Sequence, residues 1–233
     1  MKKVVLKVSD LQVKLNNENV INNLSFSVSR GDFLTILGPN GSGKTVLFKS
    51  LLKLIPHQKG NIHWDKNVKI GYLPQGLTQL KLKNVPILAK EFLLLKKISL
   101  KKIHSLLRLV GISDKDILNK QLGNLSGGQF QRILLAWTLA SDPNILLFDE
   151  PTTGIDIQGE KNIYTLLRKM QKRKDLTVLL ITHDFNIIYK YSTNVLCLSK
   201  NIACKTKPLN ALSSENLEKL YGMPVKFYKH NHN

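Results

Sequence analysis

The chain has 233 residues, 42% of them hydrophobic, and its 35 Lys and Arg outnumber its 16 Asp and Glu to give a net charge of +19. That is enough apolar material for one large domain with a substantial core, while the longest apolar runs, such as 133–140, fall far short of the ~18 to 20 residues a membrane-spanning helix needs. Two cysteines, Cys197 and Cys204, exclude a disulfide framework and match no common zinc spacing, so both are expected as small buried side chains in a reduced compartment.

In the first thirty residues Val4, Leu6 and Val8, then Leu24, Phe26 and Val28, alternate with polar neighbours, the pattern of an antiparallel sheet. The run Phe33 to Leu37 reads as a strand buried on both faces. It leads into Gly38-Pro39-Asn40-Gly41-Ser42-Gly43-Lys44-Thr45 and then a helix carrying Val46, Leu47, Leu51 and Leu52, the strand, loop and helix context of a Walker A motif. The glycines let successive N–H groups face inward, and the helix N-terminus adds partial positive charge at the same point, so phosphates fit there. Lys44 is placed to reach the β- and γ-phosphates of a nucleotide, and the Thr45 hydroxyl to ligate Mg²⁺.

Residues 86–140 change period. Phe92, Leu95, Ile98, Ile103, Leu106, Leu107 and Val110 follow helical spacing, which predicts a helical insertion in an α/β core. Within it Leu125-Ser126-Gly127-Gly128-Gln129 opens an apolar helix over 130–140. Ser126 and the amides of Gly127 and Gly128 make a second anion site at a helix start.

A third apolar run, Ile145 to Phe148, ends in Asp149-Glu150. Adjacent acids at a strand end point in different directions and take different work. Asp149 is expected to hold Mg²⁺, and Glu150 to polarise an attacking water as general base. Further buried strands are expected at Val178 to Ile181, followed by His183, and at Val195 to Leu198. The strands from Phe33 to Ile181 run directly into polar or glycine-rich residues, where α/β sheets place their chemistry. No internal repeat or low-complexity linker interrupts the chain.

The Walker pair alone leaves kinases, GTPases, helicases and recombinases open. Leu125 to Gln129 narrows them: it is the LSGGQ signature, and over 4–210 the chain resembles the ATPases of the ATP-binding cassette (ABC) family. The resemblance implies an α/β P-loop NTPase core with a mostly parallel sheet, an N-terminal antiparallel β subdomain and a helical insertion. It divides the chain into a core with its β subdomain (1–77 and 141–207), a helical signature subdomain (78–140) and a tail (208–233). It implies ATP and Mg²⁺ as ligands, with Thr45, Gln75 and Asp149 around the metal. Gln75 resembles the Q-loop glutamine, Asp156 the D-loop aspartate that crosses a dimer interface, and His183 the switch histidine at the γ-phosphate. Ser126, Gly127, Gly128 and Gln129 are implied to act in trans, on ATP held by a second copy in a head-to-tail dimer.

Three departures stand out. Leu15 occupies the place where many relatives stack an aromatic residue on adenine, which predicts weaker or less base-selective binding. Ala136-Trp137-Thr138-Leu139 stands where Ala-Arg-Ala-Leu is common, so the arginine's contacts are expected to be absent or replaced by indole packing. Asp32 replaces a usual glutamate and carries no expected function.

Finer cues resemble the subunits that energise zinc importers: Lys69 to Gln75, Val85-Pro86-Ile87, Asn194 to Ser199, and a tail with His230 and His232. They imply a peripheral protein on the cytoplasmic side of the cell membrane, bound to integral membrane permease subunits and served indirectly by a periplasmic or extracellular metal-binding protein. The opening residues do not read as a secretory signal, which agrees. Manganese, iron-chelate or another cargo is the alternative. The scattered Lys excess reads as solvated faces, so no nucleic acid is expected; a ribosome- or DNA-associated relative is the alternative of another class, for which the chain lacks a second cassette or an inserted coiled coil.

Overall fold

The computed structural model describes residues 2–76, 85–151, 157–174, 176–199 and 203–223. In chain order these form β1 (Val4–Leu15), β2 (Glu18–Ser29), β3 (Phe33–Leu37), α1 (Lys44–Leu51), β4 (Lys59–Trp64), β5 (Ile70–Leu73), α2 (Ala89–Leu94), α3 (Leu100–Leu109) and α4 (Gly127–Leu139). There follow β6 (Ile145–Asp149), α5 (Ile157–Lys174), β7 (Thr177–Ile181), α6 (Phe185–Tyr191), β8 (Asn194–Leu198), β9 (Ala203–Thr206), α7 (Pro208–Ala211) and α8 (Ser214–Tyr221). They gather into two compact units, Met1–Asp65 with Leu179–Asn233, and Lys66–Val178.

In the first unit β1 and β2 form a hairpin whose two-residue turn, Asn16 and Asn17, has φ of 47° and 65°. Paired left-handed residues match the twist of a hairpin, and asparagine tolerates that region better than most side chains. The register sets Leu15 against Glu18, Val8 against Phe26 and Leu6 against Val28, so the alternating apolar residues share one buried face. β4 adds to the other edge of β1, pairing Leu6 with Trp64 and Val8 with Ile62.

β3 is buried along its whole length and pairs in parallel with β8, from Leu34 with Asn194 to Leu37 with Cys197. A strand covered on both faces must be apolar throughout, which is why this segment is legible in the sequence. β9 returns antiparallel to β8. Leu37, Ile188, Val195, Cys197, Ala211, Leu217 and Leu220 make one core cluster, packing α6, α7 and α8 on this face. Cys197 is buried as expected, but Cys204 is exposed: it lies on β9, where Ala203, Cys204 and Lys205 are all open to solvent. Asp32 closes the β2–β3 turn, its Oδ2 accepting from Ser29 N at 3.0 Å.

In the second unit β5 and β6 pair in parallel, Ile70 with Ile145 through Leu73 with Phe148. α4 is buried along most of its length through Phe130, Ile133, Leu134, Leu135 and Leu139. α3 is amphipathic, burying Ile103, Leu106 and Leu107 and capped by Ser99, whose Oγ accepts from Lys102 N. The helical stripe expected from Phe92 to Val110 breaks in the middle. Leu95 is 66% exposed, because α2 ends at Leu94 and Lys97 turns the chain at φ 53°. That turn resets the helical phase before α3. Among the described residues no helix is long and apolar enough to cross a membrane.

Candidate functional site

β3 delivers the chain to Gly38 at a point with no room for a side chain. A Cβ there would stand 1.9 Å from the Leu198 carbonyl oxygen and 2.8 Å from Ser42 Oγ. Gly43, at φ 93°, starts α1 in a left-handed conformation facing Val20 and Ile21. As a glycine it contributes no side-chain cap to α1. A helix start without a side-chain cap is where an anion can serve as acceptor.

Lys44 is 7% exposed, and its Nζ donates to Gly38 O and Pro39 O, each at 2.8 Å. The ammonium is thus curled over the loop, where a phosphate would exchange neutral carbonyls for charged oxygens, the stronger acceptors. Ser42 Oγ is buried with no hydrogen-bond partner. An orphaned buried hydroxyl in a glycine-rich loop at a helix start suits an oxyanion ligand. Beside the loop opens a cavity of about 440 Å³ lined by Glu18, Asn19, Val20, Pro39, Asn40, Gly41 and Ser42. Leu15, half-buried at the end of β1, is not in that lining; its hairpin partner Glu18 is.

In the second unit β6 ends in Asp149, which is 1% exposed. Glu150 follows with φ 49°, a conformation non-glycine residues seldom adopt outside functional or strained sites. The kink sends the two carboxylates apart: Asp149 inward, Glu150 to the half-buried surface. There Glu150 Oε2 accepts from Gln75 Nε2 at 2.8 Å, so two residues that sequence reasoning gave separate catalytic roles are joined directly. Tyr72, on the neighbouring β5, has its phenol pushed up to about 12, first by burial and then by the negative charge of Asp149.

The signature forms a closed capping box. Ser126 Oγ accepts from Gln129 N at 3.2 Å, and Gln129 Oε1 accepts from Ser126 N at 3.0 Å, which fixes the start of α4. A Cβ on Gly128 would meet nothing within 4 Å, so the missing side chain serves no packing need within the described chain. Sequence reasoning missed Gln131. It is 7% exposed and its Nε2 donates to Pro151 O, tying the signature helix to the residue after Glu150. Trp137 packs as expected of an indole in place of arginine: it stacks on Phe92 with ring centroids 5.5 Å apart, and Lys96 Nζ lies 3.5 Å from its ring centre.

His183 is exposed and sits in a braced turn. Thr182 Oγ1 accepts from Asp184 N at 3.2 Å, and Asp184 caps α6 by accepting from Asn186 N at 2.7 Å and Ile187 N at 3.3 Å. Asp156, His230 and His232 lie outside the described residues.

Comparison with known proteins decides the family. The model of the ABC transporter family matches residues 21–153, from β2 through both carboxylates. This chain belongs to the ABC transporter family. As an ABC ATPase it binds and hydrolyses ATP.

Relatives of this ABC ATPase extend over nearly its whole length. A probable metal transport system ATP-binding protein of Thermotoga maritima is 38% identical, over 93% of this chain and 90% of its own. Zinc import ATP-binding proteins ZnuC are 36% identical in Rickettsia bellii, over 100% and 98%, and 34% in Pasteurella multocida, over 98% and 88%. Among solved structures, one described as an inward-facing conformation of a proposed metal-chelate type ABC transporter superposes with TM-score 0.84 at 27% identity, covering 97% of this chain and 94% of the other. The cassette MJ0796, solved as a dimer in a post-hydrolysis state with ADP and Pi, shares the fold at TM-score 0.72 and 24% identity, over 87% and 98%.

Proposed function

We propose that this chain powers import of a divalent metal, zinc, by hydrolysing ATP between two of its own copies docked on membrane permease subunits. The observation that carries the mechanism is the Gln75–Glu150 hydrogen bond of 2.8 Å. It holds a general base in a strained backbone conformation at the end of a buried strand and links it to the residue that leads into the helical segment. The metal cargo is supported by the names of the relatives.

The triphosphate lies along the amides from Gly41 to Thr45, and Lys44 leaves its carbonyl partners for the β- and γ-oxygens. Thr45, Gln75 and Asp149 are an all-oxygen donor set that suits Mg²⁺, which would neutralise charge on the phosphates. Glu150 takes the proton from the attacking water as it approaches the γ-phosphorus, and His183 donates to the γ-phosphate. Ser126 and the amides of Gly127 and Gly128 come from the second copy, with Asp156 crossing the interface. The Glu18 to Val20 edge, with Leu15 at its margin, borders the base and ribose.

Closure then passes through Gln75 into the helical subdomain, drawn at 78–140, with 208–233 as a tail. A short cytoplasmic helix of the permease rests there on Leu94, Leu95 and Leu100, which are 38%, 66% and 45% exposed. The protein works peripherally on the cytoplasmic side of the membrane, and an extracellular or periplasmic binding protein feeds the permease.

Glu150→Gln tests the mechanism. It should still bind ATP and accumulate as a dimer on size exclusion, with phosphate release slowed about 10²- to 10⁴-fold, the usual contribution of a positioned base. Full turnover in that variant would remove Glu150 from the chemistry. Uptake of zinc and of manganese in cells lacking the subunit tests the cargo, with loss confined to zinc expected.

A further inference from the structure

Cys197 and Cys204 take no part in the nucleotide site, but the fold sets them opposite each other. In the β8–β9 hairpin Cys197 is the registered partner of Cys204. Residues facing across an antiparallel ladder carry their side chains on one face, with Cα atoms about 4.5 or 5.5 Å apart. Both spacings fall inside the ~4.4 to 6.8 Å range a disulfide requires. The two thiols are free. Cys197 sits in the core cluster with Leu37, Ile188, Leu217 and Leu220, whereas Cys204 is open to solvent on the edge strand.

We infer that Cys197 and Cys204 are a redox-active pair, that a hydroperoxide converts them to an intrachain disulfide, and that this bond loosens the phosphate loop. The loop half follows from what surrounds β8. Cys197 is the ladder partner of Leu37, the residue before Gly38. The next residue, Leu198, presents the carbonyl against which Gly38 is packed too closely for any Cβ. β9 is anchored on its other side, since Lys205 Nζ donates to Ser27 O at 2.5 Å. Directly opposed ladder residues hold their Cβ atoms ~4.5 to 5.5 Å apart, whereas a disulfide brings them to ~3.8 Å; closing the bond therefore pulls on the β8 backbone, and Gly38 is the first neighbour to feel it.

The order of steps is set by exposure. The Cys204 thiolate attacks the outer peroxide oxygen, the O–O bond breaks, an alcohol or water departs, and Cys204 becomes a sulfenic acid. The Cys197 sulfur then attacks the Cys204 sulfur; the S–S bond forms as S–O breaks, and the oxygen leaves as water with the Cys197 proton. Two electrons pass from the sulfurs to the peroxide, which is the whole oxidant. Burial, with a further push from neighbouring Cys204, raises the Cys197 thiol to about 12. The second step is accordingly slow at neutral pH and quickens as pH rises.

The experiment treats the purified full-length chain with hydrogen peroxide and then with dithiothreitol. Expected are a mass lower by two hydrogens, a Cys197–Cys204 linked peptide, faster amide hydrogen exchange over 38–44, and an ATP Kd raised at least about threefold. All should be reversed by reductant and absent from Cys204→Ser. A sulfinic Cys204 beside a free Cys197, a chain-to-chain bond through Cys204, or a mapped disulfide with unchanged loop exchange would each overturn the inference. Only the Kd rests on the reading given under Proposed function. Mapping and exchange need no nucleotide, so a reduced chain unable to bind ATP would count against that reading and not against the thiol pair.

Discussion

Gly128→Ala sets stability and activity against each other. Gly128 is the second residue of α4, its φ is not left-handed, and a Cβ there would meet nothing within 4 Å. Alanine loses less conformational freedom than glycine on entering a helix, a gain of about 0.5 kcal/mol at the low end that suits a first-turn position. A chain of this size gains about 2–4 °C in Tm per kcal/mol, so the variant should melt about 1–2 °C higher. If the amides of Gly127 and Gly128 receive the γ-phosphate held by a second copy, the added methyl stands where that phosphate must come. ATP turnover should then fall at least about tenfold, or ~1.4 kcal/mol of transition-state stabilisation. Differential scanning fluorimetry without nucleotide and steady-state phosphate release read the two effects separately. A lower Tm refutes the open space around Gly128, and a raised Tm with wild-type turnover refutes the approach of a partner.

Gly38→Ala should do the reverse of a stabilising change. Its Cβ would press on a backbone carbonyl at 1.9 Å, so unfolding free energy falls by about 3 kcal/mol, the upper end for overpacking, as a denaturation midpoint will show. Gln131→Leu keeps the volume but strips Pro151 O of a buried donor, for a loss of about 1–3 kcal/mol; turnover should fall as well, because that carbonyl follows Glu150 directly. Leu95→Asp, at a position 66% exposed, should leave the melting curve and the ATPase of the isolated chain unchanged while abolishing metal uptake in cells; normal uptake would move the permease contact elsewhere.

Legibility from the sequence depended on how local each signal is. The strand beginning at Phe33 was readable to the residue, and those at Ile145, Val178 and Val195 to within one residue at an end, because burial on both faces forces an unbroken apolar run. The loop glycines were readable because each does a job that a Cβ forbids. Leu15 shows the limit. Whether it or Glu18 faces the cavity is set by a two-residue turn and by hairpin register, and a single strand carries neither. Gln131 was invisible for a related reason: on a helix a glutamine reads as a solvated face, and the acceptor of its Nε2 is Pro151 O, 20 positions away. The apolar stripe through Leu95 misled because a turn at Lys97 shifts the phase, and lysine carries little turn signal.

Helix caps separate what the fold does for itself from what it leaves for a ligand. Ser99 caps α3, Ser126 caps α4 and Ser213 caps α8, each accepting an amide of its own first turn. α1, of comparable length to α8, opens on Gly43 with no side-chain cap. A serine at an N-cap is worth about 0.3 kcal/mol over glycine, so the omission weakens the fold slightly. Nor is there space to repair it: Gly43 has φ 93°, and a Cβ would sit 2.9 Å from Val20 Cγ1. The same loop holds Lys44 Nζ on the Gly38 and Pro39 carbonyls and buries the orphaned Ser42 hydroxyl. An anion with several oxygens bound at this loop would satisfy these donors together and supply the cap that Gly43 does not.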